Sequence, residues 1–200
     1  MAPPGADPRD VTVVAVAASA GGITALKTLV DALPADFPAA VVIVQHLDPS
    51  MPSHLAHILE RRGPLPVVEA QEGDVLEAAH VYVAPPGRHL LVAAGGTLHL
   101  TDTPMRHFVR PSADELFESL AGGLDRQVVA VVLTGTGSDG AEGSHAVHVG
   151  GGSVVVQDPA TSQFPGMPRA AIRAGAVTTV VPLEEIAGTL VGLLAREQPR

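Results

Sequence analysis

The chain has 200 residues, 46% of them hydrophobic, enough for one sizeable core, and no cysteine, which excludes a disulfide framework and thiolate chemistry. Twelve Lys and Arg against 21 Asp and Glu give a formal charge of -9, and aromatics make up 2%, so neither the basic face nor the stacking platform of a nucleic-acid binder is present. Residues 1–10 lack the basic and apolar regions of a signal peptide, and no apolar run reaches bilayer-spanning length. The expectations are a flexible N-terminal tail over 1–10, one domain over 11–195, and a cytoplasmic location without membrane insertion.

The first element is a β-branched strand, Val11 to Ala18, that stops at Ser19-Ala-Gly-Gly22. Ile23, Leu26, Leu29, Val30 and Leu33 then follow at helical spacing, so Ser19 stands at a strand-to-helix corner. Three readings are open there: a helix cap, a glycine loop approaching a phosphate, and a nucleophile elbow in which Ala17 takes the place of the first glycine of G-x-S-x-G. A second strand, Val41 to Gln45, ends at His46, and Asp48-Pro-Ser50 leads into a helix over Ser53 to Arg62. Val67 to Ala70 and Val81 to Ala84 read as short strands. Residues 88–93 and 97–101, joined across Gly95-Gly96, read as an antiparallel hairpin. Ser112 to Glu115 has capping-box spacing and opens a helix, with Asp114 and Glu115 as first-turn charges.

The most apolar strand, Val128 to Leu133, runs into Thr134-Gly-Thr-Gly-Ser-Asp139-Gly140, with Asp139 at the opening of the next helix. A strand over 153–157, a helix over 167–173, a strand over 176–181 and a helix over 183–195 complete the pattern. This alternation predicts an α/β fold with a doubly wound, mostly parallel, Rossmann-like sheet and a small antiparallel hairpin.

In such sheets, functional groups gather beyond the carboxyl ends of the strands. Ser19, His46 and Asp139 all stand at such ends, and their types are those of a hydroxyl nucleophile, an imidazole base and a carboxylate that orients it. Taken singly, His46 also reads as a structural histidine and Asp139 as a cap of its own helix. The order Ser, His, Asp differs from the Ser, Asp, His of α/β hydrolases. Backbone amides at Ala20 and in the Gly135 to Gly137 loop are candidates for binding an oxyanion.

Several ordered motifs carry a family resemblance: Ala-Ala-Ser19-Ala-Gly-Gly, Val44-Gln-His46-Leu, Tyr82-Val-Ala-Pro-Pro-Gly-Arg-His89, Arg110-Pro-Ser-Ala-Asp114, Leu133-Thr-Gly-Thr-Gly-Ser-Asp139-Gly-Ala-Glu-Gly143, and Gln157-Asp-Pro-Ala-Thr-Ser162 with Gly166-Met-Pro-Arg-Ala-Ala171. Together they resemble the catalytic domain of the chemotaxis receptor methylesterase family, CheB. The resemblance implies a protein-glutamate methylesterase that hydrolyses γ-glutamyl methyl esters on methyl-accepting chemoreceptors and can deamidate receptor glutamines. Ser19, His46 and Asp139 would form its triad. It also implies an oxyanion role for the amide of Thr136, where the family usually has methionine. Ala17 and Ala20 replace a glycine and a threonine of the family pattern, and Leu47-Asp48 replaces Met-Pro. The family enzyme usually carries a phosphorylation-receiving domain ahead of this one, and only the short tail precedes the first strand here. The expectation is therefore a stand-alone domain without an attached receiver.

Arg88, Arg110 and Arg169 lie in matched motifs, where they either orient an acidic receptor segment or make structural ion pairs; Arg110 is carried forward as a substrate contact together with Ala20 and Thr136. His54 with His57 and His145 with His148 have metal-compatible i, i+3 spacing but no supporting motif, and neither a metal nor a cofactor is expected. The alternative functional reading is a non-catalytic signalling module, or a phosphate or nucleotide-binding module built on the two glycine corners. No P-loop lysine or G-x-G-x-x-G supports the latter.

Overall fold

A computed structural model describes residues 11–48, 51–121 and 127–196; the tail expected over 1–10 lies outside them. The elements in chain order are β1 (Thr12–Ala18), α1 (Gly22–Ala32), β2 (Ala39–Gln45), α2 (Leu55–Glu60), β3 (Val67–Glu69), β4 (Val81–Val83), the hairpin β5 (His89–Val92) and β6 (Leu98–Thr101), α3 (Ala113–Ala121), β7 (Val128–Val132), α4 (Ala141–Val149), β8 (Ser153–Gln157), α5 (Gly166–Arg173), β9 (Thr179–Val181), a 3-10 turn (Leu183–Glu185) and α6 (Ile186–Arg196). Seven strands form one sheet in the order β3-β4-β2-β1-β7-β8-β9, every pair parallel, and the hairpin stands apart as an antiparallel pair. The doubly wound α/β expectation holds, and several element ends differ by one to three residues. The helix expected over 183–195 splits into a 3-10 turn and α6 because Leu183–Glu185 follows Pro182 with an i to i+3 bond, Glu185 N–H to Pro182 O at 3.0 Å.

The central strands are apolar on both sides because helices cover both faces of the sheet. Alternate residues divide them: Val13, Ala15, Ala17, Val42, Val44, Ala130 and Val132 join a core with Leu116, Phe117, Leu120, Val147 and Met167 of α3, α4 and α5. Val14, Val16, Ile43, Val129 and Val131 join a second core with Leu26, Leu29, Leu55, Leu59, Leu190 and Leu194 of α1, α2 and α6. At about 25 cal/mol per Å² of apolar area, these two layers are the main favourable term holding the sheet rigid.

The chain winds outward from β1 through β2 in one direction, then returns to pair β7 on the other side of β1. A crevice opens where the winding reverses, beyond the carboxyl ends of β1 and β7. Both strand ends are tied across it, with Leu133 N–H donating to Ala17 O at 2.9 Å and Ser19 N–H donating to Thr134 O at 3.0 Å.

Candidate active site

Ser19 follows the last residue of β1 at that crevice. Its backbone is held from three sides: its carbonyl accepts Gly22 N–H (2.8 Å) and Gln45 Nε2 (2.9 Å), and its amide is spent on Thr134 O. The N-cap of α1 is Gly21 at φ 76°, with no side-chain capping bond, so the hydroxyl is not used as a helix cap. Glycine is required at the turn by that left-handed φ, and at Gly135 by contact. A Cβ on Gly135 would stand 2.9 Å from Ser19 Cβ and collide with Met167 Sδ.

His46 follows the last residue of β2, with its amide on Ala18 O (3.1 Å) and its carbonyl accepting Gln45 Nε2 (3.0 Å). The Gln45 side chain, 4% exposed, therefore ties Ser19 to His46 through their carbonyls. Thr134 and Gln157 brace the other side. Gln157 Oε1 accepts Thr134 N–H (2.9 Å), while the Thr134 hydroxyl donates to Ala20 O (3.1 Å) and accepts Phe164 N–H (2.9 Å).

Asp139 sits 2.8 Å from His46, Oδ2 to Nε2. An ionised carboxylate only accepts, so Nε2 carries the proton and Nδ1 is the free base. Asp139 does not cap its own helix, whose N-cap is Gly140 at φ 90°. It caps α3 instead: Oδ2 accepts Ala113 N–H (2.6 Å), and Oδ1 accepts the Ser112 hydroxyl (2.7 Å) and Asp114 N–H (3.2 Å). Burial alone would push this carboxyl up, but the bonds from His46, the Ala113 amide and the Ser112 hydroxyl outweigh it and hold the pKa below its ordinary value. The positive end of the α3 dipole acts in the same direction. Ser112 itself is fixed by its amide, which donates to Nδ1 of the fully buried His89 (3.1 Å).

Ser19, His46 and Asp139 line one open depression of about 360 Å³ together with His107, Phe108, Val109, Thr136, Gly137 and Ser138. Thr136 and Gly137 are thus among the residues around Ser19 in this depression. Ala20 is not among the lining residues. Arg110 is not either; its Nη1 donates to the carbonyls of Asp102 and Thr103 (3.0 and 2.9 Å) and so braces that loop. Arg88 does similar work, donating to Leu100 O (2.7 Å) and pairing with Asp102 (3.3 Å). A larger groove between β9 and α6, about 610 Å³, offers among the described residues Glu185 as its only ionisable lining side chain and no acid–base pair.

Sequence reasoning gave Gln45, Ser112, Thr134 and Gln157 no bracing role. Two of them had a signal: Gln45 and Gln157 are amides that terminate otherwise apolar strands, and a buried amide must find partners.

The CheB methylesterase family profile matches residues 14–190. The protein-glutamate methylesterase/protein-glutamine glutaminase 3 of Burkholderia orbicola (strain AU 1054) is 44% identical over 197 residues, 98% of this chain and 58% of that protein. The protein-glutamate methylesterase/protein-glutamine glutaminase 1 of Myxococcus xanthus (strain DK1622) is 42% identical over 189 residues, covering 93% and 55%. The chain thus spans a little over half the length of the curated relatives it matches. The crystal structure of the Thermotoga maritima CheB methylesterase catalytic domain superposes with a TM-score of 0.87 at 33% identity, covering 92% of this chain and 99% of that one. With a shared fold, a profile match over most of its length and relatives above 40% identity, this chain belongs to the CheB methylesterase family.

Proposed function

We propose that the chain is a serine esterase that hydrolyses γ-glutamyl methyl esters on a methylated chemoreceptor or related signalling protein, and that it also deamidates glutamine at the same positions. The observation that carries this reading is the 2.8 Å pair of His46 and Asp139 in one depression with a serine whose hydroxyl is free of capping. The names of the relatives, protein-glutamate methylesterase and protein-glutamine glutaminase, point the same way.

In the first half-reaction Ser19 Oγ attacks the γ-carbonyl carbon while His46 Nδ1 takes the hydroxyl proton. The carbonyl oxygen becomes an oxyanion facing the Thr136 and Gly137 amides, and Asp139 stabilises the imidazolium through Nε2. The tetrahedral adduct collapses as the imidazolium returns the proton to the leaving methoxy oxygen, releasing methanol and leaving a glutamyl ester on Ser19. Water, deprotonated by the same nitrogen, then attacks the ester and frees Ser19 and a γ-carboxylate. Glutamine follows the same course with ammonia as the leaving group.

A protein segment suits this site as substrate because the depression is open and the ring of Phe108, one of its lining residues, is 97% exposed. No helix among the described residues is long and apolar enough to cross a membrane. The test is methanol release from a methylated receptor segment. Wild type should release methanol and Ser19→Ala should not; full activity in that variant would remove the assignment.

A further inference from the structure

Beside the catalytic depression, the rim loop meets the N-terminal turns of α3 and α4, and three side chains there converge. His107 Nε2 lies 3.6 Å from Asp114 Oδ2 and 3.7 Å from Glu142 Oε1, and the three atoms are mutually within 4.8 Å. Asp114 is fully buried, and its Oδ2 has no hydrogen-bond partner although it points into this cluster. Leaving such an oxygen unpaired costs about 1–3 kcal/mol, more if it is charged. The other oxygen of each carboxylate is already held: Asp114 Oδ1 accepts Gly143 N–H (2.7 Å), and Glu142 Oε2 accepts Arg106 Nη2 (2.6 Å). Each acid therefore presents one fixed oxygen and directs the other at the imidazole.

Charge favours a cation here. Arg106 and His107 together face four acidic side chains, those of Asp114, Glu115, Glu118 and Glu142; burial and the neighbouring Asp139 raise the pKa of Asp114 to about 7, which leaves three glutamates against Arg106, the single permanent positive charge among them. Geometry favours a small one. Ligands about 2.0–2.1 Å from a tetrahedral ion stand about 3.3 Å apart, so the two edges at His107, 3.6 and 3.7 Å, need a few tenths of an ångström of closure, while the edge between the two carboxylate oxygens lies within 4.8 Å.

We propose that His107 Nε2, Asp114 Oδ2 and Glu142 Oε1 form a three-ligand site for a divalent ion of the zinc class, with solvent completing its coordination. One imidazole and two carboxylates are the donor set such ions take. The bound ion cross-links the rim loop to α3 and α4. His107 (φ 50°) and Phe108 (φ 64°) both occupy left-handed backbone, and the ion fixes that segment at the mouth of the depression. The site does no part of the ester chemistry and stands or falls independently of it.

The experiment uses the full chain, stripped with a chelator and dialysed at neutral pH against Zn²⁺ alone and, separately, Co²⁺ alone. Wild type and the inactive Ser19→Ala variant should each bind one zinc equivalent with raised melting temperature. Co²⁺ should give the visible absorption of a tetrahedral N/O site. His107→Ala and Glu142→Gln, both at exposed positions, should keep the metal-free melting temperature and weaken binding by about tenfold or more. Removal of the exposed His145 and His148 should leave binding unchanged. Absence of stoichiometric binding, binding that survives both His107→Ala and Glu142→Gln, or binding lost only with His145 and His148 would overturn the assignment. Binding intact in Ser19→Ala separates this result from any failure of the esterase reading.

Discussion

Asp139→Asn isolates the charge of the third member of the candidate triad from its shape. The asparagine must place its NH2 group on one of two sets of donors. The Oδ2 position faces the Ala113 amide and His46 Nε2–H, neither of which accepts; the Oδ1 position faces the Ser112 hydroxyl and the Asp114 amide. Only the hydroxyl turns to accept, so the NH2 group goes there, sacrificing the long 3.2 Å bond from Asp114 N–H. The amide oxygen then keeps His46 Nε2–H and the same tautomer. What is lost is the negative charge opposite the imidazolium at 2.8 Å, which amounts to about 6 kcal/mol at an effective dielectric of about 20. His46 is 13% exposed, so solvent offsets part of this, and methanol release should fall by about 10³–10⁴ with little change in KM. Nitrogen-15 shifts of His46 should show Nε2 protonated in both proteins. A fall of less than tenfold, with the tautomer preserved, would refute the role given to the carboxylate.

Gly135→Ala pushes a methyl against Met167 and Ser19, so it should cost about 1–3 kcal/mol, or 2–4 °C of melting temperature per kcal/mol, and lower activity with it; unaltered melting would mean that the close approach is absent. Phe108→Ala removes a ring that is 97% exposed, so melting should not change, whereas KM for a receptor segment should rise several-fold, about 1 kcal/mol, if that rim meets the substrate. An unchanged KM would discard the rim as a docking surface. Tyr82 is the single tyrosine of a chain without tryptophan, so an ultraviolet pH titration reads it alone. Burial lifts its ionisation above the ordinary 10.0 despite the bond from the Glu77 amide, and the phenol donates to Val75 O at 3.1 Å. Its contribution to stability is therefore whole below pH 10.0 and is lost as pH rises through the folded value; a folded midpoint at or below 10.0 would contradict that packing.

The parts of this molecule that follow from local pattern were legible. Val13 to Ala18, Val41 to Val44 and Val128 to Val132 are continuous apolar runs bounded by glycine, proline or polar corners, and their parallel pairing follows from the helices between them. The rule that ligands gather beyond strand ends then brought Ser19, His46 and Asp139 together without any knowledge of distance. Side-chain contacts between segments distant in sequence that do not follow from strand ends were not legible. Ser112 to Glu115 has capping-box spacing, and the Glu115 amide does approach Ser112 Oγ at 3.5 Å, yet the hydroxyl proton goes to a carboxylate 27 residues away. Asp114 reads as a first-turn charge, which it is, but its burial was not legible: it arises because Gly143 lets α4 press on α3. A Cβ at Gly143 would lie 2.6 Å from Phe117 Cβ. His107 belonged to no recognised pair, since its partners arrive from two other elements.

The two halves of the site are held by unlike means. Ser19 and His46 stand on adjacent central strands whose amides and carbonyls are locked into the sheet, and Gln45 ties the two carbonyls together. Asp139 is a loop residue that reaches its position by accepting the first amides of α3, which have no partner within the helix, so its place depends on where that helix begins. The start of α3 is set in turn by the α3–α4 contact at Gly143 and by Ser112 bonded to His89. A change that shifts α3 against α4 therefore moves the carboxylate relative to an imidazole that does not follow. Activity should consequently be more sensitive than stability to this one helix contact, and a ligand clamped between the rim, α3 and α4 would act at the point where the candidate site is least supported by the sheet.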